Sequence, residues 1–137
     1  RMRLMDGRAI PAFMTQALSG RPVTVFGDGR QTRSFCYVDD LVRGLHALLL
    51  SSHTGPMNIG NPKEMSHEEM AQAVIRITGS RSRIVHRPLP TDDPKVRQPD
   101  IARAKKILGW EPKVEFEEGI TRTIDYFRQW LERANQR

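Results

Sequence analysis

Val23-Thr24-Val25-Phe26-Gly27-Asp28-Gly29-Arg30-Gln31-Thr32-Arg33-Ser34-Phe35-Cys36-Tyr37-Val38-Asp39-Asp40 decides how the chain is read. Val23, Val25 and Phe26 favour a strand, as do Phe35, Tyr37 and Val38 beyond the turn, because branched and aromatic side chains suit a pleated, half-buried surface. Gly27-Asp28-Gly29 predicts a tight turn between the two runs, since glycine reaches backbone angles closed to other residues. Asp39 or Asp40 can cap a following helix by accepting its free amides. Arg33 lies just past the turn, where its planar fork could meet a phosphate through two parallel hydrogen bonds. The plainer reading of the same residues is a hairpin with a solvated arginine.

Outside this stretch, composition narrows the class. A chain of 137 residues is long enough for one domain with its own core. Hydrophobic residues make up 38% and charged residues 28%, the balance of a globular protein rather than a disordered one. No apolar run approaches the roughly 20 residues of a membrane span. Arg1 to Asp6 shows no leader core, so a cytoplasmic location and no membrane contact are expected. The start at Arg1 rather than methionine suggests a piece of a longer chain. With one cysteine no intrachain disulfide can form, and Cys36 between two aromatics reads as a small packed side chain rather than a nucleophile. The net charge of +6 permits an anionic partner. Arg81, Arg83 and Arg87 are the densest basic group, yet they alternate with Ser82, Ile84 and His86, so a solvated surface is favoured over nucleic-acid binding.

The helices announce themselves by spacing. Ile10, Phe13, Met14, Ala17 and Leu18 form one helical face, with Pro11 near its start and Gly20 as its stop. A second helix is predicted from about Asp40 to Leu50, with Leu41, Val42, Leu45, Leu48 and Leu49 on one side. Ser66 and Glu69 make a capping box for a third, carrying Met70, Ala73, Val74 and Ile77 and ending at Gly79. Asp100 caps a short fourth with Ile101, Ala104, Ile107 and Leu108, stopped by Gly109. The last runs from about Glu117, with Ile120, Ile124, Phe127 and Leu131 on its face. Met57 to Gly60 and Arg83 to Arg87 read as short strands, and Pro88, Pro90, Pro94 and Pro99 mark a loop. The fold class is therefore α/β of mixed α+β character, about five helices and a few short strands in a single lobe over 1–137.

Gly27 and Gly29 do not extend to G-x-G-x-x-G, no Walker loop is present, and the histidines lack metal-site spacing, so no cofactor-binding or metal residues are expected. No local nucleophile signature occurs either, so no catalytic residue is expected. What remains is an arginine beside a turn and a second arginine, Arg97, in the proline-framed run Asp92 to Asp100.

Those segments, with Gly55 to Pro62 and Ala104 to Pro112, together resemble the C-terminal part of the extended short-chain dehydrogenase/reductase family, nearest its UDP-glucuronate decarboxylases, over nearly the whole chain. The resemblance implies a UDP-sugar-binding lobe of an NAD-dependent epimerase/dehydratase, without its N-terminal Rossmann domain. In that family the Rossmann part holds NAD and carries a Tyr-x-x-x-Lys pair. Here Tyr37 is followed four residues on by Leu41 and Tyr126 by Trp130, so the chain alone is expected to bind no NAD and to be inactive. By the same resemblance Arg33 and Arg97 hold the pyrophosphate. Phe26, where the family usually has Tyr, lies beside the uracil, and the segment from Arg8 to Phe13 lines the nucleotide pocket. Val25 and Gln31 complete the expected substrate site. The alternative is a structural module that self-associates through apolar surface left by a missing domain.

Overall fold

The computed structural model describes residues 7–88 and 97–135. Among them five helices and four short strands follow in the order α1 (Ala9–Leu18), β1 (Val23–Phe26), β2 (Thr32–Ser34), α2 (Val38–Leu49), β3 (Glu64–Ser66), α3 (His67–Thr78), β4 (Ile84–Arg87), α4 (Ala102–Leu108) and α5 (Phe116–Asn135). Prolines 90 and 94, with most of the proline-framed loop, lie outside the described residues.

Local chemistry accounts for both ends of α3 and of α4. Ser66 Oγ accepts the Glu69 amide at 3.2 Å while the Ser66 amide donates to the Glu69 carboxylate at 2.7 Å, so the capping box forms in full. Ala102 donates its amide to Asp100 Oδ1 at 2.9 Å at the start of α4. Gly79 and Gly109 close α3 and α4 in the left-handed region, at φ 66° and 58°.

The organising stretch does not fold as a hairpin. β1 pairs in parallel with β4, Val23 opposite Ile84 and Phe26 opposite Arg87. β2 pairs antiparallel with β3, Arg33 opposite Met65. The turn between them is tied to the start of α3 instead. Gly29 O accepts the Glu68 amide at 3.2 Å, and Gln31 O accepts the His67 amide at 3.1 Å. The Gln31 side chain donates to Phe26 O at 2.7 Å. These bonds peel the second strand away from the first.

Two strand expectations need correction. Met57 to Gly60 has no ladder partner among the described residues, and a strand forms at Glu64–Ser66 instead. The strand after the turn stops at Ser34, and Val38 already opens α2. The carbonyl of Phe35 is met by the Asn61 side chain at 3.1 Å rather than by a neighbouring strand.

The main core joins α1 (Phe13, Met14), β1 (Val23, Val25), α3 (Met70, Val74) and α5 (Ile124, Phe127). Each such side chain contributes about 1.5–3 kcal/mol on leaving water. A second cluster gathers Ile101, Ala104 and Trp110, with Cys36, Met57, Ile59 and Leu108 packed against it. α2 stands against this second cluster, but not by its leucines. Its buried residues are Asp40 and Gly44, while Val42, Leu45 and Leu49 are 57%, 52% and 79% exposed.

Asp40 explains that orientation. Its carboxylate does not cap α2 but reaches across the chain, accepting the amides of Lys113 and Val114 at 2.8 Å each and the Arg43 guanidinium at 2.7 Å. Its backbone carbonyl accepts Trp110 Nε1 at 3.0 Å. Arg43 also donates to Glu111 O at 2.7 Å and lies 5.7 Å from the Trp110 ring centre. Burial pushes the Asp40 carboxyl up, but the Val114 amide, Arg43 and the Lys113 amide outweigh it and hold it below the ordinary aspartate value. Gly44 lets this clasp close: a β-carbon there would come within 2.5 Å of Ile59 and 2.9 Å of Trp110.

Asp40→Asn should lose about 1.5–3 kcal/mol in urea denaturation, the range for a hydrogen bond to a charged group. The folded carboxyl titrates below its unfolded value, so its stabilisation is complete above about pH 4 and fades in more acid solution. The gap between wild type and variant should therefore narrow as pH falls below about 4. Gly44→Ala should lose about 1–3 kcal/mol by overpacking in the same assay. A neutral outcome would mean that the helix can shift off Trp110.

Candidate functional site

A cleft of about 560 Å³ opens between the start of α1, the segment around Phe35 to Leu41, and α5. Its floor is apolar, with Ile10, Leu41, Ile120 and Phe127 among the lining residues, and Arg8, Asp39, Glu115 and Arg122 bring charge to its walls. Beside it lies a small recess formed by Arg33, Phe35, Asn61, Lys63, Met65 and Phe116. The two concavities share Phe35 and Phe116, whose ring centres are 6.0 Å apart. One surface therefore runs from Arg33 and Lys63, past an aromatic pair, to Arg8 and Arg122.

The cations on this surface are partly compensated. Lys63 Nζ is 2.6 Å from Glu115, and Arg122 meets Glu118 at 2.5 Å. Arg122 also lies 5.4 Å from the Tyr37 ring centre, a cation–π contact that steadies it. Arg33 Nη1 donates to Thr32 O at 2.7 Å, which holds the guanidinium along its own strand.

The predicted site residues fall into three groups. Phe13 and Val25 are buried in the main core at 2% and 0% exposure, Phe13 edge-on to His67. Gln31, 8% exposed, spends its amide on Phe26 O and on His67 Nδ1 at 3.0 Å, and so shapes the turn. Phe26, 43% exposed, stands at the end of β1. Arg8 is exposed on the cleft wall, Arg33 is half-buried in the recess, and Arg97 is exposed. The Ser34 hydroxyl donates to Arg97 O at 2.9 Å and so fastens the late loop to the residue after Arg33. Gln98 reinforces it by donating to Pro62 O at 2.8 Å.

Lys63 and Arg122 escaped the sequence reading. Lys63 follows the Asn61-Pro62 break with no motif of its own, and Arg122 enters the cleft only through the packing of α5. Cys36 lines the cleft, but burial first, and then the Asp40 charge, push its thiol up, with Arg43 opposing. A raised thiol is a poor nucleophile. Among the described residues no group of three or more His, Cys, Asp or Glu could hold a metal ion.

The family model for GDP-mannose 4,6 dehydratase matches residues 1–123. The chain belongs to that family. UDP-glucuronic acid decarboxylase 1 of Danio rerio is 49% identical over 132 residues, which are 96% of this chain and 32% of that relative. The Arabidopsis thaliana protein of the same name is 47% identical over 128 residues, 93% of this chain and 29% of the relative. The family member described here thus spans about a third of the length of these curated relatives. Among solved structures, UDP-glucose 4-epimerase of Thermotoga maritima, crystallised with UDP-glucose, superposes with a TM-score of 0.90 at 32% identity, covering 96% of this chain and 43% of that one. UDP-glucuronic acid 4-epimerase of Bacillus cereus, in complex with UDP-glucuronic acid and NAD, gives 0.83 at 30% identity over 90% of this chain and 40% of that one.

The glycine turn of this family member does not fit a dinucleotide pyrophosphate. A β-carbon on Gly29 would lie 3.2 Å from the Glu68 carboxylate and 3.1 Å from Val25, so the space beside it is filled, and partly by negative charge. No helix among the described residues is long and apolar enough to cross a membrane.

Ellman's reagent should modify Cys36 more slowly than it modifies free glutathione at pH 8, and at the free-thiol rate once urea unfolds the chain. Equal rates in the folded state would show that burial does not govern this thiol.

Proposed function

We propose that this chain is the nucleotide-sugar-binding lobe of a UDP-glucuronate decarboxylase-like enzyme, binding a UDP-sugar and not catalytic by itself. The observation that carries the reading is the Ser34–Arg97 bond of 2.9 Å, which gathers the late loop beside the strand that bears Arg33. Two guanidinium groups on neighbouring segments suit a diphosphate, because each planar fork can donate paired, charge-assisted bonds to its oxygens. Phe26, exposed at the strand end, offers a flat apolar face to a base. The likeness to decarboxylases at 47–49% identity and to UDP-sugar epimerases supports the same ligand class.

In this reading NAD would be held outside these 137 residues and would supply the redox chemistry at the sugar. The lobe's own residues bind and orient: Arg33 and Arg97 fix the diphosphate, and the Phe35–Phe116 pair walls the recess against water. A second reading, a stand-alone module that self-associates, is favoured by one observation, the exposure of Val42, Leu45 and Leu49.

Calorimetry with UDP should show binding by the wild-type chain and a loss of about tenfold to a hundredfold for Arg33→Ala, since a hydrogen bond to a charged group is worth about 1.5–3 kcal/mol. No heat with either protein at millimolar UDP would overturn binding by this lobe.

A further inference from the structure

The turn between β1 and β2 is gripped by side chains from two other elements. His86, in β4, reaches it first. Its Nδ1 lies 2.9 Å from Gly27 O, and a carbonyl only accepts, so Nδ1 carries the hydrogen and donates. The other ring nitrogen, Nε2, stands 3.5 Å from Glu68 Oε2, so the imidazole bridges the turn and the start of α3. Glu68 also meets the turn through its amide, which donates to Gly29 O at 3.2 Å. Its side chain fills the space beside Gly29, where a β-carbon would come within 3.1 Å of Glu68 Cβ and 3.2 Å of Oε2. Gln72 steadies the carboxylate by donating to Oε1 at 3.3 Å.

These ties matter because the turn is soft by composition. Gly27 and Gly29 both lie in the left-handed region, at φ 66° and 74°. Two glycines in three residues leave the backbone many alternatives, so ties from outside select one. The turn is also the direct link between β1 and β2, which pair with different strands and share no ladder. Phe26 precedes it and Arg33 follows it. Its shape therefore sets where the exposed Phe26 ring stands relative to the Arg33 guanidinium.

We propose that His86, seated against Glu68, is a positioning residue for the nucleoside end of the site. It holds the Gly27 carbonyl, and so the turn, in the one shape that lets Phe26 meet a base while Arg33 and Arg97 hold the diphosphate. Inorganic pyrophosphate needs only the two arginines, whereas UDP needs the arginines and Phe26 at a set separation. The inference rests on the nucleotide reading of Phe26, Arg33 and Arg97.

The test is calorimetry with UDP and with inorganic pyrophosphate on the wild-type chain, His86→Leu and His86→Asn. Leucine removes the donor to Gly27, and asparagine keeps an amide donor near the place of Nδ1. In His86→Leu, UDP affinity should fall about threefold to tenfold, as for one net hydrogen bond, with pyrophosphate affinity within about twofold. His86→Asn should recover most of the UDP loss. Unchanged UDP binding by His86→Leu would overturn the proposal. So would an equal loss for both ligands, which is the mark of general damage. Amide hydrogen exchange reads the brace without any ligand. The Gly27 and Glu68 amides should exchange at least about threefold faster in His86→Leu, while those of Ile124 and Phe127 in the core keep their rates. Unchanged exchange at Gly27 and Glu68 would overturn the brace and the proposal with it. Faster exchange in a chain whose wild type takes up no UDP would overturn the nucleotide reading, and the positioning role with it, and leave only the brace.

Discussion

The buried carboxylate of Asp40 sets the arrangement of the second half of the molecule. An aspartate so enclosed has to have its charge met. Two backbone amides, from Lys113 and Val114, and the Arg43 guanidinium meet it. Those amides belong to the link between α4 and α5, so the same bonds that neutralise the charge also dock that link onto α2. Trp110, 1% exposed, is then trapped between the helix and the second core, its indole N–H on the Asp40 carbonyl. The exposed ion pairs, such as Lys105–Glu111 and Arg76–Glu117, contribute far less, because water already solvates both partners.

From that clasp the shape of the cleft follows. Docking the link positions the start of α5, and with it Phe116, Ile120 and Arg122, across from Phe35 and Tyr37. The main core holds the other wall through α1. Gly119 allows the approach, since a β-carbon there would lie 3.0 Å from the Tyr37 ring. The recess with Arg33 and Lys63 adjoins the cleft because β2 is drawn toward β3 and away from β1. A hairpin would have put Arg33 beside β1 instead.

Much of this was legible in the residues. The faces of α1, α3 and α5 could be read from their spacing, and the capping box and the glycine stops marked the ends of α3 and α4, because those signals depend on atoms within one turn. The strands were read less well. Met57 to Gly60 has strand composition but no partner among the described residues, while Glu64–Ser66 has little strand character and pairs because β2 lies beside it. α2 was legible as a helix but not in its orientation: its apolar side suggested burial, and a carboxylate took the inner place. The bond from the Ser34 hydroxyl to the Arg97 carbonyl spans 63 residues and leaves no local trace in the sequence.

The amino-acid sequence by itself determined the five helices among the described residues, the buried faces of α1, α3 and α5, and membership of a family in which the Danio rerio relative is about three times as long. It could do so because periodicity, caps and glycine conformations are properties of neighbouring residues. The tertiary structure alone decided which strands pair, which face of α2 meets solvent, and that Phe35 and Phe116 join a cationic recess to an apolar cleft. Those outcomes depend on hydrogen bonds and contacts between segments tens of residues apart, such as the Asp40 carboxylate on the amides of Lys113 and Val114.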